Sequence, residues 1–216
     1  LKFYKSVRSK GIKPIAGAEI NHVRDSSSHN EHANLTLIAK NQLGYKNLIK
    51  LISKSQIAGK TSGIPVIETE WLAEHSDGLI ALSGGFRGHI GKAVLDTNHD
   101  LFLKRIKYFQ KIFKEDFILE ISRINRPQED IYNDYILSKA GELGLPVVAS
   151  NEVRFIDKED YEAHETRVCI QKGEVLSDAR RKRSYFEDQY FLSPEEMYEK
   201  FKDIPEVLSN AYELGK

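Results

Sequence analysis

Two charged side chains follow a short apolar run near residue 150. The run, Leu-Pro-Val-Val-Ala at 145–149, has the length of a strand and is apolar on both faces. This pattern is typical of a parallel strand buried inside an α/β protein. Glu152 and Arg154 come directly after it. Because α/β barrels and open α/β sheets build their sites at the carboxyl ends of strands, a carboxylate and a guanidinium stand where chemistry could occur.

A glycine-rich stretch, Gly84-Gly85-Phe86-Arg87-Gly88, follows another strand and precedes a helix. In that context backbone N–H groups can hold an anion. The stretch lacks the Lys-Ser/Thr pair of a P-loop and the spacing of a dinucleotide fingerprint. The pattern therefore favours a tight strand-to-helix turn over a phosphate site.

Histidines and the single cysteine are the remaining candidates for metal or nucleophilic chemistry. His22, His29 and His32 lie close in sequence, but no cysteine pair or HExxH accompanies them, which favours a solvated loop over a zinc site. His164 lies in a helical pattern without a second histidine, which favours a structural role. Cys169 falls in an apolar helical stretch, so we expect a buried, inert thiol.

A basic run, Arg180-Arg181-Lys182-Arg183, is followed by Tyr185 and Phe186. The functional interpretation is contact with DNA phosphates, with the aromatic rings stacking on bases. The alternative is a solvated loop between domains, which a run of only four residues favours slightly.

Composition limits the remaining function classes. The chain has 216 residues, with 32 Lys+Arg and 32 Asp+Glu, so its formal net charge is zero. A nucleic-acid or membrane surface would therefore have to be local. No apolar run approaches the ~18 residues of a membrane span, and no signal peptide is evident. A single cysteine excludes an intrachain disulfide and fits a reducing, cytoplasmic compartment.

The pattern of elements predicts an α/β protein. The first residues, 1–11, read as the tail of a helix with no initiator Met, and residues 211–216 also stop in a helical pattern, so we expect a piece of a longer chain. Strands alternating with helices predict a parallel sheet. A closed barrel would need more strands, which would lie before residue 1. The predicted strands are 12–23, 34–39, 78–82, 117–121 and 145–149, and the main helices are 41–56, 99–113, 127–143, 157–171, 193–201 and 205–216. Residues 59–65 are predicted to form a connector and Thr69 to cap a short helix. The pairs Asp157–Asp160 and Ser193–Glu196 are predicted to cap the helices that follow them.

Seven phrases in one order carry a resemblance that covers essentially the whole chain. They are GIKPIAGAE at 11–19, LTLIAKN at 35–41, GYKNL at 44–48, LSGG at 82–85, LPVVASNEVRF at 145–155, SPEEM at 193–197 and FKDIPE at 201–206. The chain resembles the polymerase-and-histidinol-phosphatase (PHP) domain family, in the form carried by the alpha subunit of bacterial replicative DNA polymerase III. The resemblance implies a distorted (β/α)7-type barrel, truncated here to about five strands plus C-terminal helices. It implies a barrel domain at 1–173 and a charged connector with helices at 174–216 that leads toward the polymerase palm.

The resemblance also implies a metal site, and this sequence departs from it. Active PHP domains hold up to three metal ions on His, Asp, Glu and Cys ligands, which activate water against a phosphoester. The carboxylate of the Gly-x-Glu phrase is kept as Glu19, whereas Asn34, Gly85, Glu152 and Arg154 stand where the family has His, Cys, Asp and His. Arginine stays positively charged and cannot bind a cation. We therefore expect a vestigial, metal-free site in which Arg154 pairs with Glu19 or Glu152.

Three functions remain open at this point. The favoured one is a scaffold that docks the proofreading exonuclease subunit and works with other replisome subunits. In that case DNA-directed polymerisation, its Mg²⁺ and its DNA contacts belong to the parent chain. The second is a residual phosphoesterase, a 3′–5′ exonuclease or pyrophosphatase that would need Zn²⁺ or Mn²⁺. The third is a DNA-contacting module acting through the basic run.

Overall fold

The computed structural model describes residues 2–23, 32–61, 63–178 and 180–216. By their internal contacts they form two compact units, Leu1–Leu119 with Gly215 and Glu120–Leu214 with Lys216. The strands are β1 Gly17–Val23, β2 His32–Ala39, β3 Lys60–Thr61, β4 Ile64–Pro65, β5 Ile67–Glu68, β6 Leu79–Leu82, β7 Phe117–Ser122 and β8 Val147–Ser150. The α-helices are α1 Lys2–Ser9, α2 Gln42–Ile57, α3 Thr69–Glu74, α4 His89–Leu95, α5 His99–Phe113, α6 Glu129–Leu143, α7 Tyr161–Lys172, α8 Pro194–Phe201 and α9 Glu206–Gly215.

The expected α/β class is confirmed. The main sheet has the strand order β5-β1-β2-β6-β7-β8 and is not closed among the described residues. That is six strands where the sequence predicted five, because the short β5 was missed. The segment 59–65, predicted to be a plain connector, contains the β3–β4 hairpin.

The sheet is mixed, so the prediction of a parallel sheet was wrong. β1 and β2 are antiparallel, and so are β2 and β6, whereas β1–β5 and β6–β7 are parallel. One reason is the short segment that connects β1 to β2. Only residues 24–31, which lie outside the described residues, separate β1 from β2, and a parallel crossover needs about a dozen residues or more. The predicted polar loop falls on those residues, except that His32 is the first residue of β2.

In the first unit, the spacing of the buried residues matches the periodicity of each strand or helix. β2 alternates, with Ala33, Leu35 and Leu37 buried on one face. β6 is buried at all four positions, as the continuous apolar run predicts. α5 buries Phe102, Ile106, Phe109 and Phe113, which share one helical face because they are three or four residues apart.

The second unit is anchored on the end of β7. The phenol of Tyr132 on α6 donates to the carbonyl of Glu120 at 2.7 Å, and Tyr132, Ile136 and Ala140 form the buried face of this helix. The predicted capping pairs are confirmed: Asp157 with Asp160 before α7, and Ser193 with Glu196 at the start of α8. The Ser193 pair caps α8 itself, whereas the Asp157 pair caps the 3-10 turn Lys158–Asp160, and α7 begins after it at Tyr161.

Two predicted helix starts were wrong. α6 begins at Glu129 and not at Pro127, because Gln128 adopts a left-handed backbone (φ 65°) that interrupts the helix. The N-cap of α3 is Glu68 and not Thr69. The hydroxyl of Thr69 instead donates to the Val23 carbonyl at 3.3 Å, which links α3 to β1. The predicted division at residues 173/174 remains a prediction.

Two glycines inside helices give a matched test of the packing. A Cβ on Gly44 of α2 would meet the Gly78 carbonyl oxygen at 1.8 Å, whereas a Cβ on Gly141 of α6 would meet nothing within 4 Å. We expect Gly44→Ala to cost at least about 2 kcal/mol of unfolding free energy, because backbone must move. Gly141→Ala should instead add up to about 1 kcal/mol through helix propensity. Urea unfolding of both variants tests this, and equal midpoints would contradict the close approach of α2 to Gly78.

Candidate functional site

One group of candidate residues lies on β1 and β2, in the first unit. Glu19 is paired with Thr36 in the antiparallel register, so Asn34 is its diagonal neighbour on the same face. The amide nitrogen of Asn34 donates to Glu19 Oε1 at 2.7 Å. The Glu19 carboxylate is therefore held by the Asn34 amide.

The glycine turn packs directly against Asn34. Gly84 has φ 76°, and a Cβ on it would meet the Asn34 carbonyl oxygen at 2.1 Å. Gly88 forms a parallel bridge with Asn34. The predicted tight turn is confirmed as a 3-10 turn, Gly85–Arg87, between β6 and α4. Gly85 itself has φ 54°, where glycine is unstrained and a cysteine would be strained.

Another group of candidate residues, in the second unit, follows β7 and β8. Glu152 has an unusual left-handed backbone for a non-glycine residue (φ 47°). Its Oε2 lies 2.7 Å from Nη2 of Arg126, and the side chains of the two residues are 17% and 5% exposed. The Arg126 guanidinium also lies 5.7 Å from the centre of the Phe186 ring. Glu152 is therefore the acidic half of a largely buried ion pair.

A second carboxylate, Glu129, lies beside this pair. It is buried and accepts hydrogen bonds from the Ile124 amide at 2.7 Å and the Ser122 hydroxyl at 3.0 Å. Burial raises the pKa of Glu129, and the two hydrogen bonds and the charge of Arg126 oppose that rise. Ser122 Oγ is also 3.5 Å from Glu152 Oε1, so one hydroxyl lies between two carboxylates.

Sequence reasoning missed Arg126 and Glu129. The available signal was positional, because both residues come soon after the carboxyl end of β7, as Glu152 does after β8. Nothing in the sequence distinguishes Arg126 from the other arginines. Its partner can be found only when the loops after the two strands are placed in space.

Arg154, singled out from the sequence, lies on a short ladder in the second unit. Its backbone N–H donates to the Gln189 carbonyl at 2.8 Å, and the guanidinium lies 5.9 Å from the centre of the Tyr185 ring. The predicted ion pair of Arg154 with Glu19 or Glu152 stays a prediction.

Of the histidines near β1, the structure describes His22 and His32. His22 is buried, with its ring 5.1 Å from that of His89 and 5.6 Å from that of Phe109. The carbonyl of His32 accepts a hydrogen bond from Lys92 at 2.6 Å. His29 lies outside the described residues. Within 2–23, 32–61, 63–178 and 180–216 there is no group of three or more His, Cys, Asp and Glu that could hold a metal.

The basic run is divided between a buried and an exposed part. Arg181 pairs with Glu165 of α7 at 2.6 Å, and both side chains are at most 4% exposed. Arg180 is 91% exposed and pairs with Asp178 at 3.0 Å. Arg181 thus ties the connector to α7, next to the buried Cys169. The predicted DNA contact by the run stays a prediction.

His164 lies in an aromatic cluster. Its ring is 4.5 Å from the ring of Tyr185 and 5.5 Å from that of Phe155. Burial lowers the pKa of His164; the charge of Glu165 opposes this shift, and Arg167 and Arg154 add to it. These contacts fit the structural role favoured from the sequence.

The sequence profile of the PHP domain matches residues 1–124, which is more than half of the chain. The chain belongs to the PHP domain family. All 216 residues are also similar to part of larger proteins named DNA polymerase III subunit alpha. The identity is 44% with the Vibrio cholerae protein and 43% with that of Escherichia coli K12. With the Haemophilus influenzae protein it is 41% over 210 residues.

The chain spans about a fifth of the length of these curated relatives, 19% for Vibrio cholerae and 18% for the other two. In the part of the chain that the structure describes, no helix is both long and apolar enough to cross a membrane.

The residues present do not fit the metal cluster that the PHP family implies. The amide nitrogen of Asn34 is directed at Glu19, so it acts as a donor and not as a ligand. Gly85 offers no side chain, and Glu152 is neutralised by Arg126. Divalent cations need several carboxylate, imidazole or thiolate donors directed at one point, and the part of the chain that the structure describes contains no such group of three.

Removing Arg126 should be costly, because the Glu152 carboxylate would be left without its cationic partner. A fully buried pair broken on one side costs about 3–5 kcal/mol, and since Glu152 keeps some exposure we expect about 2–3 kcal/mol for Arg126→Ala. Arg180→Ala, which breaks an exposed pair, is the control and should leave the urea midpoint unchanged. If Arg126→Ala unfolded at the same urea concentration as Arg180→Ala, the ion pair between Arg126 and Glu152 would be contradicted.

His164 should make stability depend on pH. Its folded pKa lies below the ordinary value of 6.5, so below that pH the unfolded chain binds more protons. The contribution is therefore complete above pH 6.5 and is lost as the pH falls toward the folded pKa. We expect the loss of stability between about pH 8 and about pH 5 to be smaller in His164→Gln than in the parent chain, measured by urea unfolding. Identical losses would show that His164 titrates normally.

Proposed function

We propose that this chain is the PHP part of a bacterial replicative polymerase alpha subunit and acts as a metal-free scaffold and docking domain. DNA-directed nucleotidyl transfer, with its Mg²⁺ and DNA contacts, would belong to other parts of the parent chain. The partners would be the proofreading exonuclease subunit and other replisome subunits, in the bacterial cytoplasm. The names and lengths of the relatives support this assignment, because the chain matches only about a fifth of each.

One observation carries the metal-free part of the proposal. Both retained carboxylates already have protein partners: Glu19 accepts from Asn34 at 2.7 Å, and Glu152 pairs with Arg126 at 2.7 Å. A metal ion would have to displace an amide donor in one case and a guanidinium in the other. The positive charge of Arg126 beside Glu152 also disfavours a cation electrostatically.

The scaffold part is supported by the packing and hydrogen bonds that the candidate residues make. The Gly84 backbone packs on Asn34, and Ser122 joins the Glu129 and Glu152 carboxylates. Asn34 and Glu152, two positions that the PHP resemblance assigns to metal ligands, thus make structural contacts with the chain around them. At Glu152, a phosphoester would meet a carboxylate that is already paired with the Arg126 guanidinium.

Metal content separates the scaffold from a residual phosphoesterase. The chain without substitutions is equilibrated with Zn²⁺ or Mn²⁺, and free ions are removed. We expect mass spectrometry to find less than one metal ion per chain. We also expect no metal-dependent hydrolysis of a DNA 3′ end. Glu19→Gln is the control and should have the same metal content and the same lack of hydrolysis as the unsubstituted chain. Stoichiometric metal that Glu19→Gln loses would contradict the proposal and support the phosphoesterase.

A further inference from the structure

Helix α2 presents an unusual outer surface in the first unit. We define the α2 surface as Tyr45, Ile49 and Ile52 together with Lys46 and Lys50. None of these side chains contributes to the buried core, and α2 contains no Asp or Glu along its whole length. The surface therefore combines apolar and basic groups without a carboxylate.

The apolar part forms one stripe. Tyr45, Ile49 and Ile52 are spaced i, i+4 and i+7, which puts them on one side of the helix. They are 44%, 46% and 37% exposed. Single exposed apolar residues are ordinary on protein surfaces, but a row of three along a helix is typical of a helix-docking site.

The basic part lies beside that stripe. Lys46 and Lys50 are one turn apart, and among the described residues neither has a carboxylate partner. Lys54, one turn further, differs: it lies 4.4 Å from the centre of the Trp71 ring and 4.0 Å from Glu74. The uncompensated positive charge of α2 therefore lies at Lys46 and Lys50.

The surface is rigid, because the opposite face of α2 is firmly held. Leu48 and Leu51 are buried, and the Asn47 amide donates to the Asp77 carbonyl at 2.9 Å. The Asn41 side chain caps the helix by accepting from the Gly44 amide at 3.0 Å. A partner would meet a preformed surface and would order only its own side chains.

We propose that the α2 surface docks an acidic amphipathic helix of a partner protein. Apolar anchors at i, i+3 or i+4 and i+7 on that helix would cover Tyr45, Ile49 and Ile52, and its carboxylates would meet Lys46 and Lys50. The inference rests on the proposed function as a docking domain and gives that function a location and a partner chemistry.

Charge and polarity favour this occupant over two others. A second copy of the chain in an isologous dimer would bring the same lysines near each other without a carboxylate on α2. DNA would satisfy the lysines but leave the apolar stripe in water, and phosphates gain nothing from isoleucine. An acidic amphipathic helix satisfies both parts.

The test measures binding of a fluorescein-labelled synthetic helix that carries Leu at i, i+4 and i+7 with Glu on both flanks. Fluorescence anisotropy should show binding that weakens with salt. We expect Lys46→Glu with Lys50→Glu to weaken binding about tenfold or more, and Ile49→Gln with Ile52→Gln about tenfold. The matched control is Lys104→Glu with Lys107→Glu, the same charge change on the exposed side of α5, which should change affinity less than about twofold.

Circular dichroism checks that each variant folds. If the charge reversal unfolds the chain, Lys46→Gln with Lys50→Gln takes its place and must still weaken binding. Equal binding of a peptide with Lys in place of Glu, or equal effects of the α2 and α5 variants, would overturn the inference. So would a DNA duplex that competes with the peptide or self-association that the α2 variants abolish.

Capture of the exonuclease subunit by the full natural chain separates the two proposals. If the chain captures that subunit and the α2 variants do so equally well, the docking function stands and the α2 surface is overturned as its location. If the unmodified chain captures no replisome subunit, the docking function fails, while the peptide measurement still decides what the surface binds.

Discussion

The buried ion pair between Arg126 and Glu152 is the interaction around which the candidate residues of the second unit are arranged. A carboxylate in a mostly buried position needs a cation or several donors, and the Arg126 guanidinium is such a cation. In our proposal it takes the place of a metal ion. The same requirement explains Glu129, which is held by an amide and a hydroxyl, and Ser122, which lies between the two carboxylates. Glu19 needs a partner less, because it is exposed, and it accepts a hydrogen bond from the Asn34 amide.

Much of the fold could be predicted from the sequence, because local signals decided it. Apolar runs located β2, β6, β7 and β8, helical periodicity located α5, and the Ser193–Glu196 capping pair located the start of α8. Whether neighbouring strands are parallel or antiparallel could not be predicted. Strand direction depends on the connection between two strands and not on the residue pattern within each strand. The start of α6 was missed because the left-handed backbone of Gln128 outweighed the preference of Pro127 for a first helical turn.

The candidate site could be predicted only in part. Position and chemistry pointed to Glu152 and Arg154, and the resemblance to the PHP family pointed to Glu19, Asn34 and Gly85. The Arg126 partner of Glu152, however, lies 26 residues away in sequence. Pairings of this kind are set by tertiary structure, so residue types alone leave them open. The same limit applies to Arg181, which seemed equivalent to its basic neighbours and is instead buried against Glu165. The exposed surface of α2 also emerged only when the buried face of that helix was known.

The central claim is that protein groups, and not metal ions, satisfy the carboxylates of this PHP domain. Anomalous diffraction from crystals soaked in Zn²⁺, recorded at the zinc absorption edge, tests it most directly. The account predicts no anomalous density beside Glu19 or Glu152, with Asn34 and Arg126 still in contact with them. A strong peak within coordination distance of either carboxylate, with Asn34 or Arg126 displaced, would contradict it.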